Sequence, residues 1–484
     1  MGEILRLHNM LLRKEISAKE LTQKYLSAVK DENPALNAYI NLTEEEAWLS
    51  ADITDRRLAK GESLDVLSGI PMTLKDNIST KGIETSCCSK ILEGYVPAFD
   101  ATSWQRLKDR GAVLLGKTNM DEFAMGCTSE TSCFGGAKNP HNKAFVAGGS
   151  SGGSASAVAA NLAVYALGSD TGGSVRQPAS FCGCVGLKPS YGAVSRYGLI
   201  AYASSLDTVG VIAGNVEDTA LVFDRIAGFD PLDGTSKADF APCGFNMLSK
   251  DIKGRKIGVP KELLERADNE VKAAVEKAAA DFANMGAEVE FFSMKSLVTA
   301  LPAYHIIACA EASSNLGRYD GVRYGKRAES FESIHQMICK TRTELFGDEV
   351  KKRIMLGTFV LSEGYYDKYY AKAQALRAKL CEDFEKVFEK FDALITPTSP
   401  KTAFKSGQVQ EDRTGSFNSD LCTTPVNLAG LPAVSLPCGK DLQGLPIGLQ
   451  IIGDKFKEGL ILNLAQKYEE ARGSLKIKDM GVRL

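Results

Sequence analysis

Histidine is scarce in this chain of 484 residues: there are four, His8, His141, His305 and His335. None lies in an HExxH pattern or beside a pair of cysteines, so a zinc site is not expected. An excess of charge of one sign is also missing. With 58 Lys and Arg against 60 Asp and Glu the formal charge is −2, which gives no general electrostatic hold on a polyphosphate. Long apolar runs are absent too. The longest stretch, Ala157 to Leu167, is interrupted by Asn161 and Tyr165 and falls well short of the ~18 residues of a membrane span. The N-terminus Met1-Gly-Glu-Ile-Leu-Arg6 lacks a basic segment followed by an apolar core, so no secretion is expected. The twelve cysteines contain no CxxC, and reduced, mostly buried thiols in a cytoplasmic protein are the expectation.

What is present is a large apolar fraction, 44%, which excludes global disorder. Ser17-Ala-Lys-Glu20 is a capping box, and Leu21, Tyr25, Ala28 and Val29 continue it at helical spacing, predicting an amphipathic helix. Short apolar runs bounded by Gly, Pro or Asn predict buried strands at Ile70–Leu74, Ala112–Leu115, Leu162–Leu167, Ile257–Val259, Ala393–Thr396, Ala433–Leu436 and Ile447–Ile452. Helical patterns lie between them, as in Asn269 to Phe282. Alternation of this kind predicts α/β layers with a largely internal sheet. The loop Gly228 to Gly254 is either a domain boundary or an excursion within one domain. From Val322 to Phe391 the chain turns charged and helix-rich, with Tyr365, Tyr366, Tyr369 and Tyr370 at helical offsets that favour packing over a binding surface.

Chemistry concentrates where glycine does. Of 45 glycines, seven fall between Gly148 and Gly173, in two Gly/Ser turns flanking an Ala-rich segment and an apolar run. Such turns let backbone N–H groups approach a ligand closely. If Val175-Arg-Gln177 begins a helix, the N–H groups of Thr171, Gly172 and Gly173 form an oxyanion hole and Ser174 presents its hydroxyl beside them. The plainer alternative makes Ser174 a helix N-cap. A serine nucleophile needs a base, and histidine is scarce. Lys75 closes an apolar run, where desolvation lowers its pKa and frees it to take a proton, and Ser150 in the first turn is placed to relay one.

Gly148-Gly-Ser-Ser-Gly-Gly-Ser154, Gly168-Ser-Asp-Thr-Gly-Gly-Ser-Val-Arg-Gln-Pro-Ala179 and Gly183-Cys-Val-Gly-Leu-Lys-Pro189, with Leu74-Lys-Asp-Asn77, closely resemble the amidase signature family. The resemblance implies a mixed central β-sheet covered by helices on both faces, one domain over residues 1–484 with a helix-rich lobe at about 300–390, and a triad of Ser174 as nucleophile, Ser150 as bridge after a cis peptide from Gly149, and Lys75 as base. Further stretches, among them His8-Asn-Met-Leu11, Met120-Asp-Glu-Phe-Ala-Met-Gly126, Glu311-Ala-Ser-Ser-Asn-Leu316, Phe346-Gly-Asp-Glu-Val350 and Thr424-Pro-Val-Asn-Leu-Ala-Gly430, resemble the amidase components of tRNA-dependent amidotransferases.

That narrower resemblance implies glutamine hydrolysis, with ammonia passed to a B subunit while a C subunit binds the pair. The mischarged Glu-tRNA(Gln) or Asp-tRNA(Asn) would be held mainly by B. ATP and magnesium would belong there too, with no cofactor in this chain. Arg353 would bind the glutamine α-carboxylate and Asp420 the α-ammonium. Tyr304 would complete the pocket, although His305 stands where a second tyrosine is usual. The rival readings are a stand-alone amidase of small amides, a Cys/His glutaminase, and a phosphate loop at Gly111-Ala-Val-Leu-Leu-Gly-Lys-Thr118. The last has the wrong context, because its apolar strand fills the loop itself.

Overall fold

The computed structural model describes residues 1–408, 419–473 and 481–482. Its strands are β1 (Tyr39–Leu42), β2 (Pro71–Lys75), β3 (Val113–Thr118), β4 (Lys138–Asn139), β5 (Asn142–Val146), β6 (Tyr165–Asp170), β7 (Val185–Lys188), β8 (Thr208–Ala213), β9 (Lys256–Pro260), β10 (Glu288–Phe292), β11 (Ala393–Pro397), β12 (Ala433–Lys440) and β13 (Pro446–Gly453). Strands β4 and β5 pair by themselves; the other eleven form one sheet in the order β1-β3-β2-β6-β8-β7-β12-β13-β11-β9-β10. The sheet is mixed: β3, β2 and β6 run parallel, whereas β6, β8, β7 and β12 alternate in direction. Strands on both sides of the loop at 228–254 lie in this one sheet.

Neighbouring residues of a strand point to opposite faces, and here they enter different cores. Ile395, Val434 and Ile451 join one hydrophobic cluster, which takes in helices Ala18–Leu36, Val216–Ile226, Asn269–Asn284 and Glu458–Arg472. Leu394, Ala433 and Ile452 join another, with helices Leu297–Asn315, Ala371–Lys390 and Thr424–Ala429. Helices therefore cover both faces, as expected. The predicted capping box forms, with Glu20 N–H donating to Ser17 Oγ at 3.1 Å and Ser17 N–H to Glu20 Oε2 at 2.9 Å.

Two expectations are corrected. The strand expected at Leu162–Leu167 begins and ends three residues later, as β6, because Leu162 closes the turn after the preceding helix by donating to Ala157 O at 2.8 Å. That shift carries Asp170 into the strand. The four tyrosines pack on one another and on Phe359 outside the core: Tyr366 is 47% exposed, Tyr365 and Tyr369 are also exposed, and Tyr370 is half-buried. Helix Asp348–Leu361 buries Val350, Arg353, Gly357 and Val360, so its outer side, with Phe359, is left for the tilted ring of Tyr365 to contact at 4.2 Å between ring centres. The Gly111–Thr118 pattern, already set aside as a phosphate loop, holds strand β3 at Val113–Thr118, as its apolar run predicts. Its Lys117 is fully buried and donates to Ile78 O, Thr80 Oγ1 and Thr85 Oγ1. No helix among the described residues is long and apolar enough to cross a membrane.

Candidate active site

Strand β2 is buried along its whole length and ends on Lys75, whose ammonium therefore lies in the protein interior. Its Nζ donates to Ser150 Oγ at 2.6 Å, Ser169 Oγ at 2.9 Å and Ser169 O at 3.2 Å. Asn77 Nδ2 also donates to Ser169 Oγ, at 2.9 Å. No carboxylate forms an ion pair with Lys75 among the described residues. Burial pushes the ammonium down to about 7, and the more distant Asp121, Asp170 and Asp207 limit the fall.

Ser150 follows a cis peptide from Gly149. A Cβ at Gly149 would lie 2.1 Å from Asp121 Oδ2 and 2.7 Å from Thr128 N, so only glycine fits between this turn and its neighbour. The turn leads into helix Gly152–Ala159, which is wholly buried and built of small residues plus one valine. That composition lets its backbone approach closely: a Cβ at Gly153 would sit 2.5 Å from the carbonyls of Ala38 and Asn119.

The second Gly/Ser turn is organised by a buried ion pair. Asp170, at the end of β6, receives Arg176 Nη2 at 2.9 Å and Arg176 Nε at 3.0 Å, with Asn427 Nδ2 at 2.9 Å. Burial alone would raise the Asp170 carboxyl, but Arg176 outweighs it and holds the group well below the usual carboxylate range. Asp170 also accepts from the N–H groups of Gly173 at 2.9 Å and Val175 at 3.2 Å, which pins the turn's backbone. Helix Arg176–Cys182 then begins with Val175 as its N-cap, so Ser174 is not the cap.

Ser174 is joined to the first turn through the main chain, by Ser151 N–H to Ser174 O at 3.0 Å. Its hydroxyl makes no hydrogen bond among the described residues, and the side chain is 8% exposed. The structure thus joins Lys75 to Ser150 side chain to side chain, and Ser174 to the same turn by its backbone. Of the three expected oxyanion donors, Gly173 is already committed to Asp170. The N–H groups of Thr171 and Gly172 have no acceptor among the described hydrogen bonds.

The expected substrate residues come from other elements. Tyr304, on helix Leu297–Asn315, is buried against Gly172; a Cβ there would meet its phenol oxygen at 2.5 Å. Arg353, on helix Asp348–Leu361, donates from Nε to Glu349 Oε1 at 2.8 Å and from Nη1 to the Tyr202 hydroxyl at 2.6 Å. Its Nη2 has no partner among the described residues. Asp420 precedes helix Thr424–Ala429, and among the described residues only its main-chain oxygen accepts hydrogen bonds, from the N–H and hydroxyl groups of Thr423 and Thr424. Burial pushes its carboxyl up to about 7, against the pull of Arg353. A serine hydroxyl, a partly deprotonated amine, two free N–H donors and a separated cation and carboxylate can together attack an amide and hold an α-amino acid.

Sequence reasoning missed Ser169, Tyr202 and Glu349 as partners of Lys75 and Arg353. Ser169 carried a signal in its place inside the glycine-rich segment, and Glu349 in standing four residues before Arg353 on one helix; Tyr202 reaches Arg353 across the fold. None of the twelve cysteines is in a disulfide. His335 and Cys339 approach to 3.6 Å, but on the exposed side of helix Ile334–Leu345. No group of three or more His, Cys, Asp or Glu among the described residues is placed to hold a metal ion.

A sequence profile of the amidase family matches residues 20–462. The A subunit of the glutamyl-tRNA(Gln) amidotransferase of Caldanaerobacter subterraneus is 52% identical over 466 residues, 96% of this chain and 95% of that one. The protein of the same name from a Cyanothece species is 52% identical, with 97% and 98% covered. Among solved structures, the corresponding glutamyl-tRNA(Gln) amidotransferase component of Thermotoga maritima superposes with a TM-score of 0.79 at 39% identity, 95% of each chain being covered. The peptide amidase of Stenotrophomonas maltophilia reaches 0.84 at 30% identity, with 99% and 98% covered. The fold is thus shared with both kinds of enzyme, and sequence identity is higher to the amidotransferase components.

Proposed function

The chain belongs to the amidase family, and from its 52% identity to A subunits of glutamyl-tRNA(Gln) amidotransferases we propose that it is the glutamine-hydrolysing subunit of a tRNA-dependent amidotransferase. The observation that carries the reading is the buried Lys75–Ser150 contact at 2.6 Å, within one fold of a recognition wall of Arg353, Asp420 and Tyr304. In this reading Ser174 attacks the glutamine carboxamide carbon. Ser150 takes the Ser174 proton as neutral Lys75 takes that of Ser150, and the N–H groups of Thr171 and Gly172 receive the charge developing on oxygen. The proton returns to the departing nitrogen, ammonia leaves, and water cleaves the γ-glutamyl ester to glutamate. Arg353 offers its free Nη2 to the α-carboxylate, Asp420 faces the α-ammonium, and Tyr304 closes the pocket behind Gly172.

The ammonia goes to a B subunit that holds the mischarged tRNA together with ATP and magnesium, and a C subunit joins the pair. We place the complex in the cytoplasm and treat the whole chain as one catalytic domain with a helix-rich lobe at about 300–390. The formal charge of −2 suits a chain that leaves the nucleic acid to its partner. Coexpression with B and C subunits tests this: glutamine hydrolysis should copurify with the complex and respond to mischarged tRNA. A chain that purifies alone and cleaves varied small amides at full rate would make it a stand-alone amidase instead.

A further inference from the structure

The stretch Met120–Gly126 stands out in the sequence, and the chemistry above leaves it unused. It lies between the two halves of the site. The Asp121 N–H donates to Ser150 O at 3.3 Å, and the Asp121 carboxylate accepts from Ser129 N at 2.9 Å and Thr131 Oγ1 at 2.9 Å while lying against Gly149. The next residue, Glu122, is 2% exposed and faces the other way. Its carboxylate accepts from Ser89 Oγ and from the N–H of Gly347, at 2.9 Å to Oε2 and 3.2 Å to Oε1.

Gly347 is the N-cap of helix Asp348–Leu361, and this helix has no side-chain cap of its own. The helix carries Glu349 and Arg353 toward the site. A carboxylate at a helix N-terminus satisfies an unpaired donor and complements the helix dipole, and this one comes from 225 residues earlier in the chain. The fit is tight, since a Cβ at Gly347 would lie 2.2 Å from Glu122 Oε2. One dipeptide therefore touches the Ser150 carbonyl with its first residue and the start of the Arg353 helix with its second.

We propose that Glu122 is a positioning residue for substrate recognition: by capping the helix at Gly347 it sets the register of Arg353 against Ser150 and Ser174. The inference rests on reading Arg353 as the holder of the glutamine α-carboxylate. A residue acting this way governs the fit of glutamine while leaving the triad's own reactivity intact.

The test uses the full-length chain purified with its partner subunits. Glu122→Ala is expected to raise KM for glutamine about tenfold, the effect of losing one charge-assisted hydrogen bond, with kcat changed less than about threefold. Glu122→Gln, which keeps one acceptor, raises KM by less. Labelling of Ser174 by a small alkyl fluorophosphonate, which has no α-carboxylate, proceeds at the wild-type rate in both. Gly347→Ala pushes the same carboxylate aside, so it raises KM alone and adds little on top of Glu122→Ala. This arm, with Glu122→Gln, decides the matter if Glu122→Ala does not fold. An unchanged KM, a parallel loss of kcat and labelling, or fully multiplicative effects of the two substitutions overturns the proposal. Arg353→Lys separates the premise: if it leaves KM unchanged, the reading of Arg353 fails; if it raises KM while Glu122→Ala and Gly347→Ala do not, the role of Glu122 fails.

Discussion

The proposed mechanism makes kcat follow the fraction of Lys75 that is neutral, and that fraction is set by the fold. Lys75 is fully buried. Its ammonium keeps two serine hydroxyls and one carbonyl as acceptors and has no ion-pair partner among the described residues, so lost hydration outweighs what replaces it and the group falls to about 7. Between about pH 6 and about pH 8 the neutral fraction then climbs from about 0.1 to about 0.9, so kcat rises about tenfold and levels off. A lysine at its ordinary value would give a rise of about a hundredfold over that interval and would keep climbing. Asp420, pushed up to about 7 by burial, must be ionised to hold an ammonium, so it enters KM. Measuring ammonia release at saturating glutamine at each pH separates the two. A kcat that is flat across the interval, or one that climbs without a plateau past about pH 9, refutes Lys75 as the buried base. Stability carries the same signature. Because the folded pKa of Lys75 is depressed, the unfolded chain binds more protons between the two pKa values, so stability increases as pH rises from about 7 toward the ordinary lysine value. Lys75→Met removes that part of the slope, which denaturant melts across pH measure directly.

Two further outcomes follow from the site. Ser174→Ala abolishes both ammonia release and any γ-glutamyl adduct detected by mass spectrometry on the trapped protein; an adduct on a cysteine would instead restore the thiol reading. Asp170→Asn leaves the Arg176 guanidinium buried without its counter-charge, and equilibrium unfolding should report a loss of about 3–5 kcal/mol. A loss under about 1 kcal/mol would mean that Gln450 and Asn427, which accept from Arg176 at 2.6 Å each, satisfy it unaided.

Much of the fold was legible because local signals agreed with global ones. The Ser17–Glu20 capping box forms as read, and helix Asn269–Asn284 buries Val271, Val275, Ala278, Ala279 and Phe282 as the periodicity predicts. Seven buried strands announced themselves as apolar runs, with ends displaced where pairing overrode composition, as in β6. The edge strands β1 and β10 were missed, and so were the central strands β7 and β8, whose short runs are broken by Gly186 and Gly210. In β10, Glu288-Val-Glu-Phe-Phe292 is largely exposed and carries no buried run to find. The surface tyrosines were misread because spacing tells which residues share a side of a helix, and whether that side meets a core depends on what packs elsewhere.

For the site, sequence alone determined the residue types and their local settings: two Gly/Ser turns, a lysine closing a core strand, and a serine after Asp-Thr-Gly-Gly. These are properties of contiguous segments, where glycine permits backbone shapes that other residues resist and an apolar run implies burial. Tertiary structure decided what such segments cannot encode, namely which groups meet. Only the folded chain brings Ser150 to 2.6 Å from Lys75, supplies Asn427 to Asp170, and brings Tyr202 to Arg353. The depression of Lys75 has the same origin, since desolvation depends on every element that excludes water from the end of β2, and those elements are distant in the chain.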